Sequence, residues 1–307
     1  MSLDRLIEKI EKTQNPSVAG LDPKLAYVPE FIKEKCFDKY GETLKGAAKA
    51  LLEFNKGLID ALYDIVPAVK PQAAYYEMYG PAGVKTLYKT QEYARSKGMY
   101  VITDGKRNDI GTTMEAYAAA HLGKVQVGSQ TYEPFLGDAL TVNGYLGSDG
   151  IKPLVATCRD NDKGIFVLVK TSNPSSGELQ DKKIDGVTIY ETMGHMCEEW
   201  GKELPGVYGY SGVGAVVGAT YPENGSPVVK VADIHIVQCL LLEEVLPHKQ
   251  LGYGVADWRA CGYTLPTQQT PMQSQSIMNL RRLFDISYDT ANFLYVLITF
   301  WSINRNS

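Results

Sequence analysis

The spacing with the most chemical content in this chain is Asp104-Gly-Lys106-Arg-Asn-Asp109-Ile-Gly-Thr-Thr113. Residues two apart in a strand face the same side, so Asp104 and Lys106 are expected to point together. Asp109 follows three residues later, in the loop beyond. Lys70 closes the apolar run Ile65-Val-Pro-Ala-Val-Lys70 and adds a second ammonium group from a neighbouring strand end. Two lysines and two aspartates gathered in one place suit a reaction that builds negative charge where charge already exists. Preorganised ammonium groups stabilise a developing carbanion best in a site shielded from water. Flanking carboxylates keep the lysines charged against the desolvation that would neutralise them. A salt-bridge network without catalytic duty can carry the same short pattern, so the array needs a scaffold that brings its members together.

That scaffold is legible in the apolar runs. Ser17–Asp22, Ile65–Lys70, Met99–Asp104, Ala139–Asn143, Gly164–Lys170 and Val213–Gly218 read as buried strands. Helical stretches lie between most of them. One places Leu44, Ala47, Leu51, Phe54, Leu58 and Leu62 at three- and four-residue intervals; another runs from Gly83 to Lys97, with Gly98 placed to stop it. Repeated strand-then-helix units with continuously apolar strands predict a parallel sheet covered on both faces. Six such strands before residue 220 favour an α/β fold of the closed (β/α)8 TIM-barrel class over a doubly wound sheet. In such a barrel the chemistry sits at the C-terminal strand ends. Asp22, Lys70, Asp104, Lys106, Asn143, Lys170 and Gly218 all fall there.

Composition narrows the function classes. The chain has 307 residues, 44% of them hydrophobic and 21% charged, with a net charge of −4. That balance supplies no broad basic surface for nucleic acid. The five cysteines (Cys36, Cys158, Cys197, Cys239, Cys261) are scattered without a C-x-x-C pair and read as reduced thiols packed as small hydrophobes. The four histidines (His121, His195, His235, His248) show no zinc-hydrolase spacing. The charged, helix-patterned start Met1–Gln14 has no apolar core of a signal peptide. These features point to a cytoplasmic enzyme with no metal, no membrane and no nucleic-acid partner.

Six segments in order then carry a resemblance. They are Gly20-Leu-Asp22-Pro, Val69-Lys70-Pro-Gln-Ala-Ala-Tyr-Tyr-Glu77, Asp104-x-Lys106-x-x-Asp109-Ile, Thr141-Val-Asn-x-Tyr-x-Gly147, Val169-Lys-Thr-Ser-Asn-Pro-Ser175 and Val216-Val-Gly-Ala-Thr220. Together they resemble orotidine 5′-phosphate decarboxylase, most nearly its longer bacterial branch, from about residue 1 to about residue 223. The resemblance implies decarboxylation of orotidine 5′-monophosphate to UMP in pyrimidine biosynthesis, without a cofactor. It implies that Lys106 protonates C6 of the pyrimidine, that Asp104 sits against the substrate carboxylate, and that Lys70 completes the array and contacts the ribose. Asp22 would bind a ribose hydroxyl and Ser172 the pyrimidine edge, with Gly218 and Ala219 also at the substrate. Asp109 and Thr113 would reach into a partner subunit's site, which implies a homodimer with shared sites.

The resemblance weakens after Tyr221-Pro-Glu223. Leu251-Gly-Tyr-Gly254 survives, but Val255-Ala-Asp-Trp-Arg259 stands where the family has the Gln-Gly-Gly of its phosphate loop. Ile277-Met-Asn-Leu-Arg-Arg282 is a faint echo of the family's phosphate-binding arginine segment. The expected organisation is therefore a barrel domain over residues 1–254 and an atypical segment over 255–307, divergent or frameshifted, with the last barrel strands incomplete. The apolar run Asn292–Trp301 is too short to span a bilayer, and reads either as a barrel strand or as an exposed, aggregation-prone segment. Two alternatives stay open: a related barrel sugar-phosphate decarboxylase or synthase, and an inactive remnant lacking its phosphate loop.

Overall fold

The computed structural model describes residues 1–15, 17–218, 237–239 and 297–300. Helix α1 (Ser2–Thr13) leads into strand β1 (Ser17–Leu21). Helices α2 (Glu30–Tyr40) and α3 (Leu44–Leu62) follow, then β2 (Ala68–Pro71). Next come α4 (Ala74–Glu77), α5 (Gly80–Ser96), β3 (Tyr100–Arg107) and α6 (Gly111–His121). A hairpin of β4 (Val125–Val127) and β5 (Gln130–Tyr132) precedes β6 (Ala139–Val142), α7 (Ser148–Asn161) and β7 (Gly164–Lys170). A short ladder of β8 (Lys183–Ile184) and β9 (Val187–Thr188) leads to α8 (Ile189–Gly201) and β10 (Val213–Gly218). Strands β11 (Val237–Cys239) and β12 (Leu297–Phe300) complete the described part.

All six strands read from the apolar runs are present. The main sheet has the order β11-β10-β7-β6-β3-β2-β1-β12, and its first seven members run parallel. This is the expected β/α-barrel arrangement, with one departure. The place beside β1 is held by β12, which runs antiparallel with Ser17 opposite Phe300, whereas a regular barrel of this class has eight parallel strands. The boundary expected at residue 254 lies outside the described residues.

Alternation along the strands decides what faces inward. Ala19, Leu21, Val69 and Val101 pack outward with Ile59, Leu62 and Ala94 of α3 and α5. Leu140, Val142, Ile165 and Val167 pack outward with residues of α6, α7 and α8. The intervening residues Val18, Ala68, Tyr100, Ile102, Ala139 and Phe166 form an inner cluster with Leu3, Leu6 and Ile10 of α1. Helix α1 thus seals the N-terminal ends of the strands, and each of its fully buried leucine or isoleucine side chains contributes roughly 1.5–3 kcal/mol. One inward step beyond this apolar layer come Lys70, Asp104 and Thr141, at the opposite end.

Local signals fix the helices around the strands. Thr43 caps α3 by accepting from the amide of Gly46 at 3.1 Å. Thr188 and Glu191 form a reciprocal capping box at the start of α8. Gly98, at φ 78°, supplies the left-handed turn that ends the α5 segment. Among the described residues, no helix is long and apolar enough to cross a membrane.

Candidate active site

Asp104 is the hub of the site. It is 4% exposed at the C-terminal end of β3, and each of its carboxylate oxygens accepts two hydrogen bonds. Lys70 Nζ donates to Oδ2 at 2.7 Å, and Gln72 Nε2 donates to the same oxygen at 3.0 Å. Lys106 Nζ and Thr141 Oγ1 each donate to Oδ1 at 2.7 Å. Burial would raise the Asp104 carboxyl, but the ammonium groups of Lys70 and Lys106 overcome that and hold it well below the usual carboxylate range.

The two lysines differ in setting. The Lys70 side chain is 3% exposed, while that of Lys106 is 46% exposed at the mouth of the barrel. Two ammonium groups converge on one carboxylate. The cluster is therefore a preformed receptor for an anion, or for charge that develops during a reaction.

The expectation that Asp104 and Lys106 meet holds, but regular strand periodicity is not the reason. The pairing of β3 with β6 slips between Thr103, opposite Leu140, and Arg107, opposite Val142. Asp104, Gly105 and Lys106 thus stand against Thr141 alone, as a bulge, and Lys106 adopts φ 47°. The left-handed backbone turns the Lys106 side chain back onto Asp104.

The other predicted residues divide into neighbours and outliers. Asp22 lies just past β1, half-buried, and the end of that strand is tied to β2 by the amide of Gln72 on the carbonyl of Leu21 at 3.2 Å. Ser172 and Gly218 are packed together: a side chain at residue 218 would meet the Ser172 backbone nitrogen at 2.8 Å. Glycine is thus required there for the β7 and β10 ends to approach. Asp109 accepts from the amide of Ile110 at 2.8 Å and makes no ion pair to Lys70 or Lys106 within this chain. The expected four-membered array is therefore three-membered here. Thr113 is exposed in the first turn of α6. Ala219, Leu251–Gly254, Val255–Arg259 and Ile277–Arg282 lie outside the described residues.

Reading the sequence missed three residues that hold the site. Gln72 and Thr141 sit in the quoted segments without an assigned role, although a polar residue at an inward strand end is itself a signal. Gln180 is the third. Its Oε1 accepts from the amide of Thr171 at 2.9 Å and its Nε2 donates to Thr171 Oγ1 at 2.7 Å, pinning the loop that carries Ser172. The tyrosines behave as packing residues. Tyr76 is fully buried, accepts from Asn55 Nδ2 at 2.9 Å and donates to the Leu21 carbonyl at 3.3 Å. The thiols of Cys158 and Cys197 are buried away from the array, and burial pushes Cys197 up to about 12, which leaves it unreactive. Among the described residues, no three His, Cys, Asp or Glu side chains gather where they could hold a metal ion.

Comparison with known proteins decides the family. Residues 42–238 match the model of the orotidine 5′-phosphate decarboxylase / HUMPS family. The chain belongs to this family. It is 43% identical over 228 residues to orotidine 5′-phosphate decarboxylase of Caldicellulosiruptor saccharolyticus, covering 74% of this chain and 75% of that protein. It is 45% identical over 215 residues to the enzyme of the same name from Rhodopirellula baltica, covering 70% and 69% of the two chains. The structure of Leishmania donovani OMP decarboxylase superposes with a TM-score of 0.59 at 28% identity, over 78% of each chain. The family match spans Lys70, Asp104 and Lys106.

Proposed function

We propose that this protein is a cytoplasmic carboxy-lyase that converts orotidine 5′-monophosphate to UMP in pyrimidine biosynthesis, using no metal or organic cofactor. The observation that carries the reading is the buried Asp104 carboxylate clasped by the ammonium groups of Lys70 and Lys106 at the barrel mouth. The names of the relatives support the same substrate.

The chemistry follows from that arrangement. The bond between C6 and the carboxylate breaks, carbon dioxide leaves, and the electron pair stays on C6 in the plane of the ring. The ring offers no electron sink for that pair, so an adjacent cation must stabilise it. Lys106 Nζ supplies the charge and then its proton to C6; solvent reprotonates the neutral amine. Asp104 holds Lys106 in place and lies against the departing carboxylate, where its own negative charge disfavours the bound ground state. Lys70 offsets part of that repulsion and reaches the ribose.

The remaining residues bind. Asp22 takes a ribose hydroxyl, Ser172 addresses the pyrimidine edge, and Gly218 with Ala219 lets the substrate approach the backbone. Asp109 and Thr113 serve the neighbouring site of a homodimer. Their setting supports this role, because neither bonds to the lysines of its own chain and Thr113 faces outward.

The test is the loss of orotidine 5′-monophosphate absorbance on adding the purified full chain, repeated with a chelator and with Lys106→Ala. Turnover that survives the chelator and disappears with Lys106→Ala is the expected result. Absence of turnover from folded protein would reject the reading, and turnover abolished by the chelator would move it to a metal-dependent relative.

A further inference from the structure

The array is held together by a residue to which the reaction assigns no step. Thr141, in β6, is 4% exposed, and its hydroxyl touches two members of the array at once. It accepts from the amide of Lys106 at 3.0 Å and donates to Asp104 Oδ1 at 2.7 Å. The slip in register lies at this point, with residues 104 to 106 of β3 standing opposite Thr141 alone. A bulged strand leaves backbone groups without ladder partners, and a buried amide must find another acceptor. The Thr141 hydroxyl is that acceptor for Lys106. Its own hydrogen is thereby free to go to Asp104, so one side chain fixes both the backbone of one array member and the carboxylate of another.

The conformation it secures is one a lysine rarely adopts. Lys106 at φ 47° persists only where its surroundings over-determine it, and such residues cluster at functional sites. We propose that Thr141 is a positioning residue for proton delivery: its hydroxyl locks the left-handed turn at Lys106 and the orientation of Asp104, so that Lys106 Nζ is aimed at one point above the barrel mouth. The inference rests on the decarboxylase reading for the identity of that point. Valine has the shape of threonine but neither hydrogen bond, and serine keeps the hydroxyl.

Misplacing a reacting group by about 1 Å costs on the order of 10²-fold in rate. Thr141→Val is therefore expected to lower kcat for orotidine 5′-monophosphate by roughly 10- to 100-fold. KM should stay within about threefold, because no substrate-binding group is removed. Thr141→Ser should restore most of the loss. Should Thr141→Val fail to fold, Thr141→Ala removes the hydroxyl without adding bulk and is read the same way. A residue with only a structural role would lower the melting temperature and leave kcat per folded molecule intact, and that result overturns the proposal.

Amide hydrogen exchange at Lys106 tests the same claim without turnover. Protection in the parent that is lost in the valine or alanine variant and kept in the serine variant supports the proposal. Equal exchange in all of them overturns it. Because this readout needs no substrate, a parent protein that does not decarboxylate would refute the functional reading while the exchange data still decide the role of Thr141.

Discussion

Asp104 and Asp138 are two buried carboxylates at opposite ends of the same pair of strands. Asp138 sits just before β6 at 3% exposure, where its oxygens accept from the amide of Val101 at 2.9 Å and from Arg5 at 3.0 Å. Arg5 is shared with Asp162, so this lower cluster sets its cation between two carboxylates, and it stays open to water, with Arg5 39% and Asp162 52% exposed. Asp104, at 4% exposure, is equally buried but faces two lysines, one of them half in water. Burial and ion pairing are thus common to both ends. Two lysines converging on one carboxylate, over a slipped strand register, belong to one. A buried ion pair by itself is weak evidence for a site, since structural networks perturb their members as strongly as catalytic ones do.

The widest separation between the two ends should come from paired truncations. Lys106→Ala is expected to lower kcat/KM by 10²- to 10³-fold or more, the order found for removing one preorganised charge-stabilising donor. Its melting temperature should move little, because the side chain is half in water and Asp104 keeps Lys70, Gln72 and Thr141 as hydrogen-bond partners. Asp138→Ala should do the reverse. Leaving Arg5 and the Val101 amide without their acceptor should cost about 3 kcal/mol of stability, read from urea unfolding, while the folded fraction keeps its KM. A large kcat defect in folded Asp138→Ala would erase the distinction drawn between the ends.

A pH experiment adds a third buried group that lies outside both clusters. His121 closes α6 at 6% exposure, its ring stacked 4.9 Å from Phe135, three residues before Asp138. Burial, helped by the charge of Arg107, lowers its pKa from 6.5 to about 4. The folded state therefore holds the neutral ring, whereas the unfolded chain takes up the proton near pH 6.5. Stability from this source is complete above that pH and is lost as the pH falls from 6.5 toward 4. The full loss is about 3 kcal/mol, given 1.36 kcal/mol per pKa unit. Urea unfolding of the parent and of His121→Leu at pH 7 and pH 4.5 checks it: the parent should lose more. Equal losses would remove His121 as the source.

The same contrast explains what could be read from the residues alone. Lys70 and Asp104 were legible because each ends an apolar run, and period-two alternation turns both inward once the strands pair. The fold followed from the same runs. The left-handed turn at Lys106 was not legible, since it is imposed by a register slip against β6 and by a hydroxyl 35 residues away. The helical pattern of α1 was visible, but its sealing role was not, because Ser2 and Arg5 find their partners 98 and 133 residues later. Asp109 shows the opposite limit: sequence spacing placed it with the lysines, and the loop into α6 turns it to its own backbone instead.

The smallest expected effect lies in that seal and depends on which hydroxyl donates. Ser2 Oγ lies 2.7 Å from Tyr100 Oη and 3.0 Å from the Asp138 carbonyl, which can only accept. The single Ser2 hydrogen must go to that carbonyl, so the Tyr100 hydroxyl donates to Ser2. Tyr100→Phe then removes a donor and leaves every other group satisfied, at a cost of about 1 kcal/mol. Ser2→Ala strands the buried Tyr100 hydroxyl and takes one of two donors from the Asp138 carbonyl, which keeps the amide of Gly164 at 3.0 Å, and should cost more, in the range of about 1–3 kcal/mol. Thermal unfolding of the two variants should rank them in that order, with kcat unchanged in both. The reverse ranking would mean that the hydroxyls are oriented the other way and that Ser2 leaves the carbonyl of Asp138 to another donor.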